Sequence, residues 1–131
     1  MARILFVEDD PNIVESYKTE LEIAGHQMTS APDGQNGLEI AKSAAFDLIL
    51  LDLSLPKMNG LEVLKEIKAD EKIKNVPVII MSNFATDENV KVAMQLGATE
   101  FMPKYQFTPQ EASEKIKKIL SPEPSMLDYQ K

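Results

Sequence analysis

The chain has 131 residues, a length that fits one domain of ordinary size. Hydrophobic residues make up 44% and charged residues 27%, close to average globular usage, which excludes a disordered or fibrous class. A net charge of −7 argues against direct binding of nucleic acid, and the absence of cysteine excludes disulfides and thiolate metal sites. Because no apolar run approaches the roughly 20 residues of a membrane span, we expect a cytoplasmic protein without a membrane segment.

Five short, mostly apolar runs alternate with segments whose apolar residues recur at helical spacing. The runs are Ile4–Val7, Gln27–Ala31, Leu48–Leu51, Val78–Met81 and Thr99–Met102. This regular alternation predicts an α/β fold built from βαβ units, with a parallel sheet between helices. The second run is the most polar, which predicts an edge strand.

Local signals mark the ends of the predicted helices. They are Asp10-Pro11 and Thr108-Pro109-Gln110-Glu111 at helix starts, and Gly25 and Gly97 at helix ends. An acid or threonine before a proline is typical of a helix cap, and the second motif also fits a capping box. The last helical pattern ends near residue 120. We therefore predict one domain over residues 1–120, followed by a tail or linker over residues 121–131.

Polar or charged side chains follow four of the five predicted strands. They are Glu8, Asp9 and Asp10 after the first strand, Asp52 after the third, Ser82 after the fourth and Lys104 after the fifth. Because the carboxyl ends of parallel strands share one crevice, we expect these side chains to meet there. Several carboxylates in one pocket stay ionised together only with a cation between them, and their oxygen ligands suit magnesium, with manganese as the alternative. Asp10, which precedes a proline, is predicted to cap a helix, so Glu8 and Asp9 are the better ligands.

This set of groups suits phosphoryl transfer. A metal and Lys104 can share the charge on the phosphate oxygens while a carboxylate attacks phosphorus in line. Asp52 is the best candidate for the nucleophile because it stands alone after a central strand, and Ser82 supplies a hydroxyl in the same space. His26, next to Gly25, is predicted to be a surface turn residue, and Lys65, Lys68, Lys72 and Lys74 are predicted to form a solvated helix face and loop.

Four stretches carry these residues. They are Ile4-Leu5-Phe6-Val7-Glu8-Asp9-Asp10-Pro11, Leu50-Leu51-Asp52-Leu53-Ser54-Leu55-Pro56-Lys57-Met58-Asn59-Gly60, Val78-Ile79-Ile80-Met81-Ser82 and Gly97-Ala98-Thr99-Glu100-Phe101-Met102-Pro103-Lys104. In this order the chain resembles the receiver domain of two-component response regulators, over residues 3 to about 120. The resemblance implies a single flavodoxin-like (βα)5 domain, with a five-stranded parallel sheet in the order 2-1-3-4-5 and helices on both faces. It places the phosphoacceptor on Asp52, magnesium ligands on Glu8, Asp9, Asp52 and the Ser54 carbonyl, the switch on Ser82 and Phe101, and the family's lysine on Lys104.

The resemblance also implies a signalling module rather than an enzyme. Such a domain accepts a phosphoryl group from a sensor histidine kinase or a phosphotransfer protein and then acts on a downstream protein target. Phosphorylation is expected to change the surface formed by the fourth helix, the fifth strand and the fifth helix, which is also the candidate dimer face.

The chain departs from the family pattern near the predicted phosphorylation site. Tyr105 follows Lys104 where the family has proline after a cis bond, and a cis bond without proline would cost about 3 kcal/mol. Ser54 and Phe84 flank the expected path of an attacking water, and neither carries a carboxylate or amide that would orient it. Asn83 narrows this path further, so we expect slow self-dephosphorylation.

Three other classes of function compete with this interpretation. A pseudoreceiver would act as an interaction module without phosphorylation, but the full set of site residues argues against it. A phosphohydrolase with an aspartyl nucleophile keeps that residue on the first strand with a second acid two places on, whereas Asp52 is followed by Leu53-Ser54. A flavin carrier would have a phosphate-binding loop rather than acids after the first strand.

Overall fold

The computed structural model describes residues 1–83 and 86–120, apart from the side chain of Tyr105. The predicted tail and Phe84 lie outside the described residues. Within them, the strands are Arg3–Val7 (β1), Gln27–Ala31 (β2), Leu48–Asp52 (β3), Val78–Ser82 (β4) and Glu100–Pro103 (β5). The α-helices are Pro11–Ile23 (α1), Gly34–Ser43 (α2), Gly60–Ala69 (α3), Asp87–Gln95 (α4) and Pro109–Leu120 (α5), and a 3₁₀ turn covers Lys104–Gln106.

The five strands form one parallel sheet in the order β2-β1-β3-β4-β5. This confirms the predicted fold class and strand order. Every residue of β3 and β4 is buried, as expected for central strands covered on both faces, whereas β2 lies at the edge as predicted. No described helix is long and apolar enough to cross a membrane.

Alternation along the strands divides the hydrophobic core between the two faces of the sheet. In β3, Ile49 and Leu51 pack on the side of α2, α3 and α4, whereas Leu48 and Leu50 pack on the side of α1 and α5. Each fully buried aliphatic side chain of this kind contributes about 1.5–3 kcal/mol. The sheet is thereby fixed between two helical layers, and its carboxyl ends are held in register.

The helix ends follow the predicted signals. Asp10 caps α1, since its side chain accepts a hydrogen bond of 2.9 Å from the backbone N–H of Asn12. Thr108 and Glu111 form the predicted capping box of α5, each side chain accepting from the other's backbone N–H at 3.1 and 2.9 Å. Gly97 follows α4 with φ +105°, a left-handed conformation that glycine adopts without strain.

The prediction of a solvated Lys68 is wrong. Its Nζ donates hydrogen bonds to the carbonyl oxygens of Lys74, at 3.0 Å, and Val76, at 3.1 Å. The side chain is half-buried because the connection from α3 to β4 folds back over it, and this burial lowers the pKa of Lys68. Lys68 therefore holds this connection against α3.

His26 directly follows the turn at Gly25 and is half-buried, and its Nδ1 accepts from the backbone N–H of Ala2 at 3.1 Å. It belongs to a small cavity at the amino ends of the strands. The lining residues are Met1, Ala2, His26, Asp47 and Leu120. The start of β1 and the end of α5 thus lie together at the amino ends of the strands, on the opposite side of the domain from the predicted site.

Candidate functional site

Three carboxylates meet at the carboxyl ends of β1 and β3. One oxygen each of Glu8, Asp9 and Asp52 lies within 4.8 Å of the others. Glu8 is 2% exposed and Asp52 3% exposed, whereas Asp9 is exposed. The structure therefore brings the predicted acids together in a pocket that is open on the side of Asp9.

Lys104, the first residue of the 3₁₀ turn after β5, reaches into this pocket. Its Nζ lies 2.6 Å from Oε1 of Glu8 and 3.1 Å from Oδ2 of Asp52. The remaining oxygens are also oriented, because Oε2 of Glu8 accepts from the backbone N–H of Asp10 at 3.1 Å and Oδ1 of Asp52 accepts from that of Ser54 at 3.3 Å. The ammonium therefore bridges two buried carboxylates whose directions the backbone fixes.

Burial dominates the electrostatics of the site. It raises the pKa of Glu8 and the pKa of Asp52 above their ordinary values, although the contacts with Lys104 oppose the change. Burial alone would lower the pKa of Lys104, but its contacts with Glu8 and Asp52 raise it overall. Lys104 therefore keeps its positive charge, but its contacts with Glu8 and Asp52 do not fully offset the increase in their pKa that burial causes.

The donor set fits a hard divalent cation. When all the groups are ionised, three carboxylates and one ammonium leave a formal net charge of −2. Among the described residues, the buried Oε1 of Glu8 forms no hydrogen bond of good geometry, and its one charged partner is Lys104. Carboxylate oxygens are ligands that magnesium and manganese prefer.

The predicted switch residues lie on the two neighbouring strands. Ser82 is fully buried at the end of β4, and Phe101 of β5 is half-buried against the core on the side of α2, α3 and α4. The strand register pairs Ser82 with Pro103 and Ile80 with Phe101. Since Ser82 and Ile80 point to the same face by alternation, Ser82 and Phe101 share one face of the sheet.

Gly60 is a positioning residue that the sequence analysis did not single out. A Cβ at Gly60 would lie 2.2 Å from the backbone oxygen of Asp52, and its N–H donates to the carbonyl of Leu53 at 2.9 Å. The start of α3 is therefore packed directly on the backbone of the predicted phosphoacceptor. The sequence signal for this role is that α3 begins with glycine, a poor helix former, which indicates that a side chain does not fit at this position.

Of the residues near the predicted water path, Ser54 and Asn83 are exposed, and Phe84 lies outside the described residues.

Comparison with known proteins identifies the family. The profile of the response regulator receiver domain matches residues 4–117, and the chain belongs to this family of signalling modules. The transcriptional regulatory protein CpxR homolog of Haemophilus influenzae is 36% identical over 120 residues, which cover 92% of this chain and 51% of that protein. The chain spans about half or less of the length of the first curated relatives that it matches.

Solved structures agree with the family. A CheY-like response regulator receiver domain protein from Methanospirillum hungatei is similar with a TM-score of 0.85 and 32% identity, covering 92% of this chain and 94% of that one. The receiver domain of the sensor histidine kinase PA1611 from Pseudomonas aeruginosa has a TM-score of 0.82 and 27% identity, covering 91% and 97%. The latter structure has a magnesium ion coordinated in its active site cleft.

Proposed function

We propose that this chain is a phosphorylation-controlled receiver that accepts a phosphoryl group on Asp52 from a sensor histidine kinase or a phosphotransfer protein. The observation that carries the proposal is the 3.1 Å contact between Lys104 and a buried Asp52 beside two further acids. A lone buried carboxylate would be costly, so its retention with a matched cation favours a chemical role. Membership of the receiver family supports this assignment.

Magnesium, or manganese in its place, would be held by Asp9, Asp52 and the backbone carbonyl of Ser54. Glu8 would act through water, because its two oxygens already meet Lys104 and the N–H of Asp10. When bound, the ion supplies charge neutralisation for the phosphate oxygens. The magnesium in the Pseudomonas receiver supports this assignment.

The residues of the chain then divide the transfer between them. An Oδ of Asp52 forms a bond to phosphorus as the bond from phosphorus to the donor breaks, and the bonding electron pair leaves with the donor. Lys104 moves its hydrogen bond from the carboxylate to a phosphate oxygen. Ser82 is expected to turn its hydroxyl to the phosphate, with Phe101 moving inward, and so to alter the surface of α4, β5 and α5 for a protein target or a second copy.

Mass spectrometry after incubation with acetyl phosphate tests the proposal. We expect one added phosphoryl group in the presence of magnesium, and none with EDTA or in Asp52→Asn. Asp47→Asn, at the opposite end of the sheet, is the matched control and should be labelled like the parent. Labelling of Asp52→Asn would remove Asp52 from the role, and no labelling of the parent with any donor would favour an interaction module without phosphorylation.

A further inference from the structure

The connection from β3 to α3, residues 53–59, contains a strained turn. The backbone N–H of Met58 donates to the carbonyl of Pro56 at 2.7 Å, and this hydrogen bond spans the single residue Lys57, which defines a γ-turn. Lys57 has a φ of +68°, and among the described residues it is the only one other than glycine with a positive φ. A γ-turn with a positive φ is rare and strained.

The connection is held in place at two points. At its base, the N–H of Gly60 donates to the carbonyl of Leu53 at 2.9 Å. At the turn, the N–H of Gly34, the first residue of α2, donates to the carbonyl of Pro56 at 3.3 Å. A Cβ at Gly34 would overlap the carbonyl oxygen of Met58, so the backbone of α2 contacts the turn directly. Because both points are fixed, the conformation of the turn decides the path of the chain between them.

The side chain of Lys57 does not account for the strained backbone. Its Nζ lies 3.7 Å from Oδ2 of Asp33, and 65% of the side chain is exposed. An exposed ion pair at this distance contributes little to stability. Strained backbone persists where the surrounding structure enforces it, and such residues cluster at functional sites. The backbone conformation of Lys57, rather than its charge, is therefore the feature that points to a role.

The strained turn adjoins the proposed metal site. Ser54 lies three residues before Lys57, and its N–H donates to Oδ1 of Asp52 at 3.3 Å. The backbone carbonyl of Ser54 is the ligand proposed above for magnesium. The chain is fixed at Leu53 on one side of Ser54 and at the turn on the other. A different φ at Lys57 would therefore move the chain between these points and change the direction of the Ser54 carbonyl.

We propose that Lys57 is a positioning residue, whose left-handed backbone directs the Ser54 carbonyl toward the ion at Asp52. This rests on the proposed function and adds a requirement on backbone conformation to its metal site. Glycine adopts a positive φ without strain, so glycine at this position should support metal binding. A β-branched residue avoids a positive φ and should weaken metal binding.

The affinity of the folded protein for manganese, measured by electron paramagnetic resonance, tests the proposal. In Lys57→Val the affinity should fall about tenfold, as expected when a metal ligand loses the structure that orients it. Lys57→Gly removes the same charge and side chain but keeps the conformation, and it should bind manganese like the parent. Lys65→Val, the same substitution on the exposed side of α3, is the control and should also leave the affinity unchanged.

Urea unfolding of the same variants separates positioning from a general loss of stability. A Lys57→Val protein that is less stable but binds manganese as tightly as Lys57→Gly would overturn the proposal. If Lys57→Val does not fold, Gly34→Ala, which displaces Met58 at the turn, should show the same loss of affinity, and an unchanged affinity would again overturn the proposal. A parent that binds no manganese would instead overturn the metal site of the proposed function, so the two failures are distinguishable.

Discussion

Asp52 is buried, and its contacts with Lys104 and the backbone N–H of Ser54 do not fully offset the energetic cost of burying its negative charge. Its pKa is higher in the folded chain than in the unfolded chain, chiefly through burial. Ionisation of Asp52 therefore favours the unfolded chain. The contribution of protonated Asp52 to the free energy of unfolding is present at acidic pH and is lost as the pH rises through the pKa of the folded state. The residue proposed to accept phosphate thus destabilises the metal-free protein at neutral pH.

Asp52→Asn should consequently stabilise the metal-free protein at pH 8, by about 1 kcal/mol. The gain should shrink at pH 5, because the parent carboxylate is then closer to its protonated form. Urea unfolding in EDTA at the two pH values measures both effects. A variant less stable than the parent at pH 8 would mean that the Lys104 ion pair outweighs the burial of the carboxylate.

Lys104→Ala should keep the fold but fail to convert phosphorylation into the switched state. A charge-assisted hydrogen bond to phosphate contributes about 2 kcal/mol, so the ratio of switched to unswitched protein should fall roughly thirtyfold. The NMR shift of Phe101 after phosphorylation measures this population. Lys18→Ala, an exposed lysine of α1, is the control, and a Lys104→Ala protein with the parent's phosphorylation rate and shift would contradict the role.

At the scale of elements, α3 and the connection that follows it depend on Lys68. Lys68→Ala leaves the carbonyl groups of Lys74 and Val76 without this donor and should lower the free energy of unfolding by about 1–2 kcal/mol. Lys65→Ala, on the exposed side of the same helix, should change it by less than about 0.5 kcal/mol. Urea unfolding compares the two variants, and equal effects would show that Lys68 has no special structural role.

Elements were predictable where the sequence carries a local signal. The apolar runs placed β1 to β4 to within one residue at each end, and the caps of α1 and α5 followed from Asp10 and Thr108. Glu8, Asp52 and Lys104 were predictable because strand ends of a parallel sheet converge. The contacts of Lys68 were not predictable, since they depend on how the connection from α3 to β4 folds back over the helix, which no local pattern reports.

For the whole molecule, the proposed switch couples the site to the surface of α4, β5 and α5. Ser82→Ala should accept phosphate but give little shift at Phe101, because the hydroxyl that follows the phosphate is missing. NMR before and after phosphorylation measures the shift. Ser43→Ala, which removes an exposed hydroxyl on α2, is the control, and a full shift in Ser82→Ala would place the switch elsewhere.

The lifetime of the phosphorylated state is a second property of the whole molecule. We expect slow loss of phosphate, because the exposed Ser54 is too short to orient an attacking water, and Ser54→Asn should accelerate the loss. Phe84→Ala is expected to act in the same direction on the sequence argument. Loss of phosphate after removal of the donor, in magnesium, measures the rate; a parent that decays in seconds, or variants no faster than it, would contradict the expectation.

The cavity lined by Ala2 and Leu120 places the beginning of β1 and the end of α5 at the amino ends of the strands, whereas Asp52 lies at their carboxyl ends. The five residues of β3 separate these two ends of the sheet by roughly 17 Å along the strand. A segment joined at either of these positions would be attached far from Asp52, the proposed phosphoacceptor. Because the attachment point lies away from Asp52, a change of the domain's shape is the route by which the proposed phosphorylation would reach such a segment.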